Sequence, residues 1–390
     1  MKVLVIPGWY PGKYTPQNGN FYVEQVKYLK QAGVDIAVIT ADLDYRYYLH
    51  LDGFFRKKTF TIEDDIPTFR INGGAWPKIN QFLLDRWTRQ MIRLFDDYVK
   101  EFGQPDVIHA HNFWGGYVAM QLAKKEGISY VFTEVFSGIL SGEWPSWQKR
   151  IYLNICQNSS AITAVSQGLA DVIEQQFFYK ECHVIPNFID TDLFALKKRI
   201  EHKKFRLLGI GGLIQLKRFD LQLEAFAVLL KKGYNIELLI IGSGTEKRKL
   251  DGMIKRLELK NYVSIVPVVE YNQVALEMQK ADIFLLTSST ETFGIVVVEA
   301  MSVGTPVIAT KTAGPSDILT PEMGILIPRN DADALAKAIE QMIVNYDSYK
   351  PKEIRAYAVK KYSKKVVTSQ IIELYQKVID SGISNKASRK

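Results

Sequence analysis

The sequence predicts an α/β protein in which two doubly wound, Rossmann-like domains face a cleft. Short β-branched apolar runs alternate with helical patterns throughout the chain, which is typical of α/β folds. The runs are almost entirely apolar, which indicates parallel sheets covered by helices on both faces. A basic segment at 196–206 separates two such sets of runs, which indicates two domains.

The elements of the first set are assigned in chain order from their apolar periodicity. Its strands are predicted at 2–6, 35–40, 106–110, 129–135, 161–166 and 183–187, and its helices at 20–32, 80–100, 114–126 and 167–176.

The second set has the same alternation. Its strands are predicted at 206–213, 236–242, 263–269, 282–288, 305–310 and 324–328, and its helices at 217–232, 245–259, 271–280, 294–303 and 331–345. A last helix near 363–380 has no strand after it, so it caps either domain, and the polar residues after it are expected to fray. The predicted N-terminal domain is 1–190, joined by the last helix and tail (365–390), and the C-terminal domain is 191–364.

Composition and charge restrict the class of protein. With 47% hydrophobic and 24% charged residues, the chain reads as globular, and neither a signal-peptide core nor a membrane-spanning run is seen. The two cysteines lack metal-ligand spacing, so neither a zinc site nor a disulfide framework is expected, and a cytoplasmic location fits.

The net charge of +8 is unevenly distributed. Residues 1–195 carry 19 Lys+Arg against 21 Asp+Glu, a balance of −2, and residues 196–390 carry 31 against 21, which is +10. Much of the excess lies in 196–206, 359–365 and 385–390, which read as linker-like or tail-like solvated segments. Weak peripheral attraction to anionic lipid at the inner face of a membrane, or to an anionic polymer, is the alternative. No nucleic-acid partner is expected.

Two carboxylates stand out in the stretch that follows the strand at 282–288. Glu299 lies inside the apolar run 295–301, where an unpaired carboxylate is costly to bury, and Glu291 lies eight residues earlier in a loop. Thr292, Phe293 and Gly294 form the turn into the helix, whose free backbone N–H groups suit hydroxyls or phosphate. Carboxylates without a fixed cation partner suit vicinal hydroxyls, as in ribose; a buried ion pair with Lys or Arg is the alternative.

Glycines follow several strands and suit anion binding by the backbone. The run 209–213 precedes Lys217, and 241–244 opens a helix, but neither is a G-x-G-x-x-G or P-loop motif, so a plain tight turn is an equal alternative. A loop rich in Pro, Gly and Asn follows the first strand and leads through Gly19 into a helix. Such a loop is placed to cover a ligand, although many are inert connectors.

Histidines and aromatic residues mark the first half. His109 and His111 share one side of a strand end, where they are candidates for hydrogen bonding, base catalysis or metal binding, or are simply structural. All six tryptophans fall in the first 147 residues. Trp87 fits a helix core, whereas Trp9, Trp114, Trp144 and Trp147 are candidates for an aromatic acceptor surface. The candidate acceptor-binding residues are Trp9, Tyr10, Trp114, Glu134 and Trp144.

These segments together resemble the retaining glycosyltransferases of family 4, which have the GT-B fold. The stretch from Glu291 to Glu299 is similar to the E-x7-E motif of that family, and the resemblance continues in order through 19–40, 106–111, 184–194, 314–319 and 324–339. The resemblance implies transfer of a sugar from a nucleotide-diphosphate sugar, with UDP-sugars favoured, to a hydroxyl of a saccharide or lipid-linked acceptor. The C-terminal domain would bind the donor and the N-terminal domain the acceptor, with no cofactor and no metal ion.

The resemblance also implies roles for residues. Glu291 would contact donor-sugar hydroxyls, Glu299 the ribose, Lys217 the diphosphate, and His111 would lie near the reacting carbon, while Gly19 would let its loop close. The sequence departs from the family at Gly212, where an arginine is usual, and Arg218 is the candidate substitute. It departs again at Val135, where related sequences have histidine.

Three further functions are compatible with these residues. The departures from the family leave open a weak, nucleotide-sensing descendant. A sugar-nucleotide epimerase would have the same fold, and the +10 half of the chain would suit a binding protein for anionic polymer. A nicotinamide-dependent oxidoreductase is disfavoured, because it would need a G-x-G-x-x-G motif after a strand.

Overall fold

The chain forms two compact units in the computed structural model. It describes residues 1–16, 19–44, 46–47, 56–74, 81–142, 144–177, 181–196 and 204–387, with backbone alone for 141 and 383–387. The N-terminal unit comprises Met1–Val165, Ala170–Ile185 and Thr368–Lys390, and the C-terminal unit comprises Ser166–Leu169 and Pro186–Val367. The predicted boundaries were 190/191 and 364/365. Trp76 and most of the predicted basic linker, 197–203, lie outside the described residues.

The N-terminal unit is built on an eight-stranded sheet. Its strand order is β3-β4-β2-β1-β5-β6-β7-β8, and all pairs are parallel except β3 with β4. The strands are β1 (Lys2–Ile6), β2 (Asp35–Leu43), β3 (Lys57–Glu63), β4 (Ile66–Gly73), β5 (Val107–His111), β6 (Tyr130–Glu134), β7 (Ala161–Ala164) and β8 (Cys182–Val184). The helices are α1 (Asn20–Gln31), α2 (Gln81–Phe102), α3 (Asn112–Glu126), α4 (Gly138–Ser141), α5 (Ser146–Asn158) and α6 (Gln167–Phe177).

The β3–β4 hairpin was not predicted. Asp64 and Asp65 connect its strands with φ of 49° and 62°, the left-handed conformation that tight hairpin turns require. β3 forms the edge of the sheet and is mostly exposed, so its sequence KKTFTIE lacks the apolar run that marks the central strands. Charged residues such as Lys57 and Lys58 discourage further strand pairing at such an edge.

The C-terminal unit is built on a six-stranded parallel sheet of order β11-β10-β9-β12-β13-β14. Its strands are β9 (Phe205–Ile210), β10 (Ile236–Ile241), β11 (Val263–Val266), β12 (Ile283–Leu286), β13 (Val307–Thr310) and β14 (Gly324–Ile327). The helices are α7 (Phe219–Lys231), α8 (Lys247–Arg256), α9 (Tyr271–Lys280), α10 (Ile295–Ser302), α11 (Ala313–Ile318), α12 (Ala332–Val344) and α13 (Pro351–Tyr362). Parallel strands bring their carboxyl ends to one edge, where the loops after β9 and β12, which are neighbours, meet.

The last helix, α14 (Lys364–Ala387), joins the N-terminal unit from Thr368 onward. Its Tyr375 is fully buried and lies 2.5 Å from His109 Nδ1. One prediction was wrong here. Residues 359–365 form the end of α13, its C-cap Ser363 and the start of α14 rather than a linker, because Tyr362 and Ser363 are buried beside Ile189, whose amide donates to Tyr362 O. The helix extends to Ala387, beyond its predicted end near 380.

Cys156 and Cys182 are both buried and free. Within the described ranges, no helix is long and apolar enough to cross a membrane.

Candidate functional site

In the C-terminal unit, Lys217 and Glu291 form a close ion pair. Lys217 lies in a 3₁₀ turn (Gln215–Lys217) after β9, and Glu291 lies in the loop after β12. The ammonium Nζ is 2.6 Å from Glu291 Oε2, and the side chains are only 24% and 16% exposed. Of the two alternatives that the sequence left open for Glu291, the structure has the ion pair with a lysine.

Hydrogen bonds fasten the two loops that carry this pair. The Thr287 hydroxyl donates to the backbone carbonyls of Lys217 and Arg218, each at 3.0 Å. The Ser289 amide donates to Leu216 O at 2.9 Å. Because these contacts fix the backbones, the ion pair is held by a rigid frame rather than by two free side chains.

The turn before α10 presents backbone rather than side chains. Gly294, the N-cap, has a φ of 83°, and no side chain of the described residues caps the helix there. The Val297 amide donates to Gly294 O at 2.9 Å, so the N–H groups that α10 can offer a ligand are those before Val297. Thr292 and Phe293 are buried, and the Phe293 ring packs against Tyr362 at 5.8 Å. Thr292 to Gly294 can therefore offer a ligand chiefly main-chain groups.

Glu299 lies on the first turns of α10 and is 3% exposed. The Tyr271 hydroxyl, at the start of α9, donates a hydrogen bond to Glu299 Oε1. Within the part of the chain that the structure describes, Glu299 forms no ion pair. Burial raises its pKa from 4.5 to about 7, an effect that the hydrogen bond from Tyr271 partly offsets. The site holds a carboxylate that lacks a cation, next to a tyrosine that is 48% exposed.

Gly212 and Arg218 lie in the loop after β9. Gly212 is exposed, and a Cβ built there would meet no atom of the described residues within 4 Å, so the space beside it is open. Arg218 adopts a left-handed φ of 50° and its guanidinium Nε is 3.0 Å from Asp220 Oδ1, with a further contact to Asn330. If Arg218 supplied the cationic contact that Gly212 cannot make, its guanidinium would have to leave the ion pair with Asp220.

In the N-terminal unit, the two histidines are buried side by side at the end of β5, with ring centroids 4.0 Å apart. His109 bonds Tyr375 through Nδ1 and Thr133 through Nε2 at 2.6 Å, and burial lowers its pKa to about 3. His111 Nε2 lies 2.9 Å from Gln25 Oε1, and burial, with His109 nearby, lowers its pKa well below the usual value. His111 Nδ1 has no partner among the described residues. His109 is therefore structural, whereas His111 keeps one nitrogen unused.

The loop after β1 packs tightly on the start of α1. Gly19 has a φ of 75°, and a Cβ there would approach Trp9 O to 2.5 Å, so this position requires glycine. Trp9 is 40% exposed and contacts Phe136, whereas Tyr10 is buried beneath Arg70 with a raised pKa due mainly to burial. Trp9, rather than Tyr10, is available at the surface.

Glu134, at the end of β6, is fully buried and fully bonded. Its Oε1 accepts from the Val135 and Phe136 amides at 2.8 and 2.7 Å, and Oε2 accepts from the Tyr152 hydroxyl at 3.0 Å. Burial nevertheless raises its pKa to about 7. Glu134 thus fixes the backbone of the following loop.

The tryptophans predicted to bind the acceptor belong to one aromatic cluster in this unit. Half-buried Trp144 donates from Nε1 to Gly138 O at 3.1 Å and packs edge-on to Phe113. Trp114 packs edge-on to Phe113 and to Trp87, which is half-buried rather than core as predicted.

Three residues near these groups were not predicted. Tyr271 and Tyr375 were missed because a tyrosine at a helix start or on a helix face has no distinctive sequence pattern. Asn112 was also missed; its φ of 52° and its buried amide Nδ2, unbonded within the described chain, mark it only in three dimensions. Among the described residues, no group of three or more His, Cys, Asp or Glu side chains is placed to hold a metal ion.

Solved structures share this architecture over almost the whole chain. Sucrose-phosphate synthase from Thermosynechococcus elongatus has a TM-score of 0.80 at 20% identity, covering 98% of this chain and 100% of that one. HepE from Anabaena, solved in complex with UDP, has a TM-score of 0.75 at 19% identity, covering 97% and 100%. These likenesses establish the GT-B fold, with two Rossmann-like domains.

Comparisons of the amino-acid sequence also match glycosyltransferases. TuaC of Bacillus subtilis (strain 168), named as a putative teichuronic acid biosynthesis glycosyltransferase, is 26% identical over 87% of this chain and 88% of its own. Residues 19–193 match the model of Glycosyltransferase Family 4, and residues 190–361 match that of Glycosyl transferases group 1. The two domain models together span residues 19–361 and support a GT-B glycosyltransferase of the family 4 type.

Proposed function

We propose that the protein transfers a sugar from a nucleotide-diphosphate sugar, with a UDP-sugar favoured, to an acceptor hydroxyl, with retention of configuration. The acceptor would be a saccharide or lipid-linked glycan in polysaccharide or glycoconjugate biosynthesis. The relationship to TuaC supports this class of acceptor, and the UDP complex of HepE supports the donor.

The observation that carries the proposal is the environment of Glu299. A carboxylate that is 3% exposed, with its pKa raised to about 7, bonded to the hydroxyl of Tyr271 and without an ion pair in the described chain, is incompletely stabilised. The two vicinal hydroxyls of a ribose would donate two hydrogen bonds to it. Ligand binding would thus add hydrogen-bond donors to Glu299 beyond the hydroxyl of Tyr271.

Lys217 and Glu291 are proposed to separate their tasks when the donor binds. The Lys217 ammonium would bind the diphosphate, joined by the open N–H groups at the start of α10, and Glu291 would accept from hydroxyls of the sugar. Both groups already lie together before the donor arrives, so donor binding would exchange their ion pair for contacts with the diphosphate and the sugar.

The reaction would proceed by stabilising the departing nucleotide diphosphate. The bond from the anomeric carbon to the phosphate oxygen breaks, the acceptor oxygen bonds to that carbon on the same face, and the leaving phosphate oxygen takes the acceptor proton. No strong protein base and no metal ion are required. Neutral His111, oriented by Gln25, is proposed to contact the donor sugar through its unused Nδ1.

Acceptor binding is assigned to the N-terminal unit. Exposed Trp9 and half-buried Trp114 and Trp144 offer aromatic faces that suit sugar rings or an apolar carrier. Glu134 is proposed to act indirectly, by fixing the loop that carries Phe136. Tyr10 would support this surface from below rather than touch the acceptor.

Thermal unfolding with UDP, GDP, ADP and NAD tests the donor site. A nucleotide at 100 times its dissociation constant should stabilise the protein by about 2.7 kcal/mol. We expect UDP to give the largest shift, and Glu299→Gln to abolish it. Glu340→Gln, which removes a glutamate bonded to Lys232 and Tyr234 elsewhere in the same unit, should leave the shift intact. A shift with NAD alone, or an unchanged UDP shift in Glu299→Gln, would contradict the proposal.

A further inference from the structure

Tyr271, the first residue of α9, reaches the carboxylate of Glu299 on the neighbouring helix α10. Its ring packs edge-on against Phe194 at a centroid distance of 5.2 Å. Phe194 is fully buried, whereas Tyr271 is 48% exposed. The buried phenylalanine therefore limits where the tyrosine side chain can lie, and the hydroxyl is held at the carboxylate.

The hydrogen bond from Tyr271 engages one of the two carboxylate oxygens of Glu299. The hydroxyl donates to Oε1, and Oε2 has no hydrogen-bond partner among the residues that the structure describes. A carboxylate oxygen can accept two hydrogen bonds, so acceptor positions on both oxygens stay open for the hydroxyls of a ribose. The tyrosine thus orients the carboxylate without using up its capacity as an acceptor.

The same hydrogen bond favours the ionised form of Glu299. Burial raises the pKa of this carboxyl group to about 7, and the hydrogen bond from Tyr271 lowers it. Only an ionised carboxylate offers all of its oxygen lone pairs as acceptors. Tyr271 therefore increases the fraction of molecules in which Glu299 can accept two hydroxyl hydrogens at neutral pH.

Charged groups on the elements that pack against α10 are engaged with other partners. On α9, Glu277 pairs with Lys280. On α13, Arg355 donates to backbone carbonyls, and on α11, Asp317 accepts from two backbone amides at the start of α6. Glu291, in the loop before α10, is paired with a lysine. The pKa of the buried carboxyl group is accordingly set by its burial and by the tyrosine hydroxyl.

We propose that Tyr271 is a positioning residue of the nucleotide site, whose hydroxyl holds Glu299 as an oriented carboxylate acceptor for the two hydroxyls of the donor's ribose. This inference rests on the proposed function, in which Glu299 binds the ribose, and it adds the residue that prepares Glu299 for that task. Tyr271→Phe isolates the effect, because it removes the hydroxyl and keeps the ring contact with Phe194.

Calorimetric titration of the full chain with UDP between pH 6 and pH 9 tests the proposal. Tyr271→Phe should weaken UDP binding by about 10-fold at pH 6 and by less than about two-fold at pH 9, because without the hydroxyl Glu299 ionises only at higher pH. The pH at which UDP affinity is half-maximal should rise by about one pH unit. The titration of UDP itself is common to both proteins and cancels in the comparison.

A matched variant and a matched ligand serve as controls. Tyr262→Phe removes the hydroxyl of a tyrosine in the same unit that is 40% exposed and whose ring faces Lys204, and it should bind UDP like wild type at every pH. The ligand 2′,3′-dideoxy-UDP lacks both ribose hydroxyls. Wild type and Tyr271→Phe should therefore bind it equally, within about two-fold, across the pH range.

Three results would overturn the inference and leave the proposed function standing, provided that Glu299→Gln still abolishes UDP binding. They are UDP affinity of Tyr271→Phe equal to that of wild type from pH 6 to pH 9, a loss of affinity that is the same at every pH, and an equal loss for UDP and the dideoxy nucleotide. UDP binding that survives Glu299→Gln would instead overturn the proposed role of Glu299, and this inference with it.

Discussion

Lys217 Nζ and Glu291 Oε2 lie 2.6 Å apart, so the cation and the carboxylate that follow neighbouring strands β9 and β12 neutralise each other. A bound diphosphate would attract Lys217 away and leave Glu291 to accept hydroxyl hydrogens from the sugar. The pair thereby keeps two charges of the donor site satisfied before the donor binds.

Substitution of Lys217 by Gln should weaken UDP binding by about 30-fold, because a charge-assisted hydrogen bond to phosphate is lost. Glu291→Gln should leave UDP affinity unchanged or tighter, because Lys217 is then free, yet lower turnover of the sugar nucleotide by about 100-fold. Calorimetric titration with UDP and a turnover assay separate the two effects. Lys232→Gln, which breaks an exposed ion pair with Glu340, is the control and should alter neither. Equal loss of UDP affinity in both site variants would contradict the division of tasks.

Glu299 makes stability depend on pH. Burial raises its pKa from 4.5 to about 7. Between these pH values the carboxyl group is therefore protonated in the folded protein and ionised in the unfolded chain. Its contribution to stability is therefore full below about pH 4.5 and is lost as pH rises to about 7. Glu299→Gln stays neutral, so its advantage in unfolding free energy over wild type should grow by about 3 kcal/mol from pH 5 to pH 8.

Urea unfolding at several pH values measures this difference for Glu299. A difference between the two proteins that does not vary with pH would show that Glu299 is ionised throughout and satisfied by the protein.

His109 should make stability depend on pH in the sense opposite to Glu299. Burial lowers its pKa from 6.5 to about 3, so the stability it supports is present above pH 6.5 and is lost as pH falls toward 3. His109→Gln loses hydrogen bonds at all pH values, but its slope of stability against pH between 5.5 and 4 should be smaller by up to about 1.4 kcal/mol per pH unit. An unaltered slope in His109→Gln would refute this assignment.

Gly294 should resist substitution because its φ of 83° lies in the left-handed region. Gly294→Ala should cost about 1–2 kcal/mol of stability and weaken UDP binding, since the turn that presents the α10 amides is distorted. Gly252→Ala, inside α8 with no atom of the described residues within 4 Å of the added Cβ, should instead stabilise by up to about 1 kcal/mol. Thermal unfolding checks both signs, and a tolerated Gly294→Ala with intact UDP binding would exclude a role for this turn.

The central strands were predictable because their apolar runs reflect burial on both faces. The β3–β4 hairpin was missed because β3 is exposed at an edge, although the adjacent Asp64 and Asp65 are a turn signal. Helix α5 was also missed, although Trp147, Ile151 and Ile155 recur at helical spacing.

In the site, the burial of Glu299 followed from its apolar neighbours. The bond between Lys217 and Glu291 joins residues 74 positions apart, and the approach of Tyr271 to Glu299 depends on how α9 packs on α10. Neither contact leaves a local pattern in the sequence.

Proton NMR of sugar-nucleotide turnover tests the central claim most directly. UDP-glucose and other α-linked donors would be incubated with wild type, using water as a slow acceptor, and compared with Lys217→Gln. We predict release of UDP with the free sugar appearing first as its α-anomer, at a rate reduced at least about 100-fold in the variant. First appearance of the β-anomer, an epimerised sugar nucleotide, or no turnover of any donor in the panel would contradict the proposed retaining transfer.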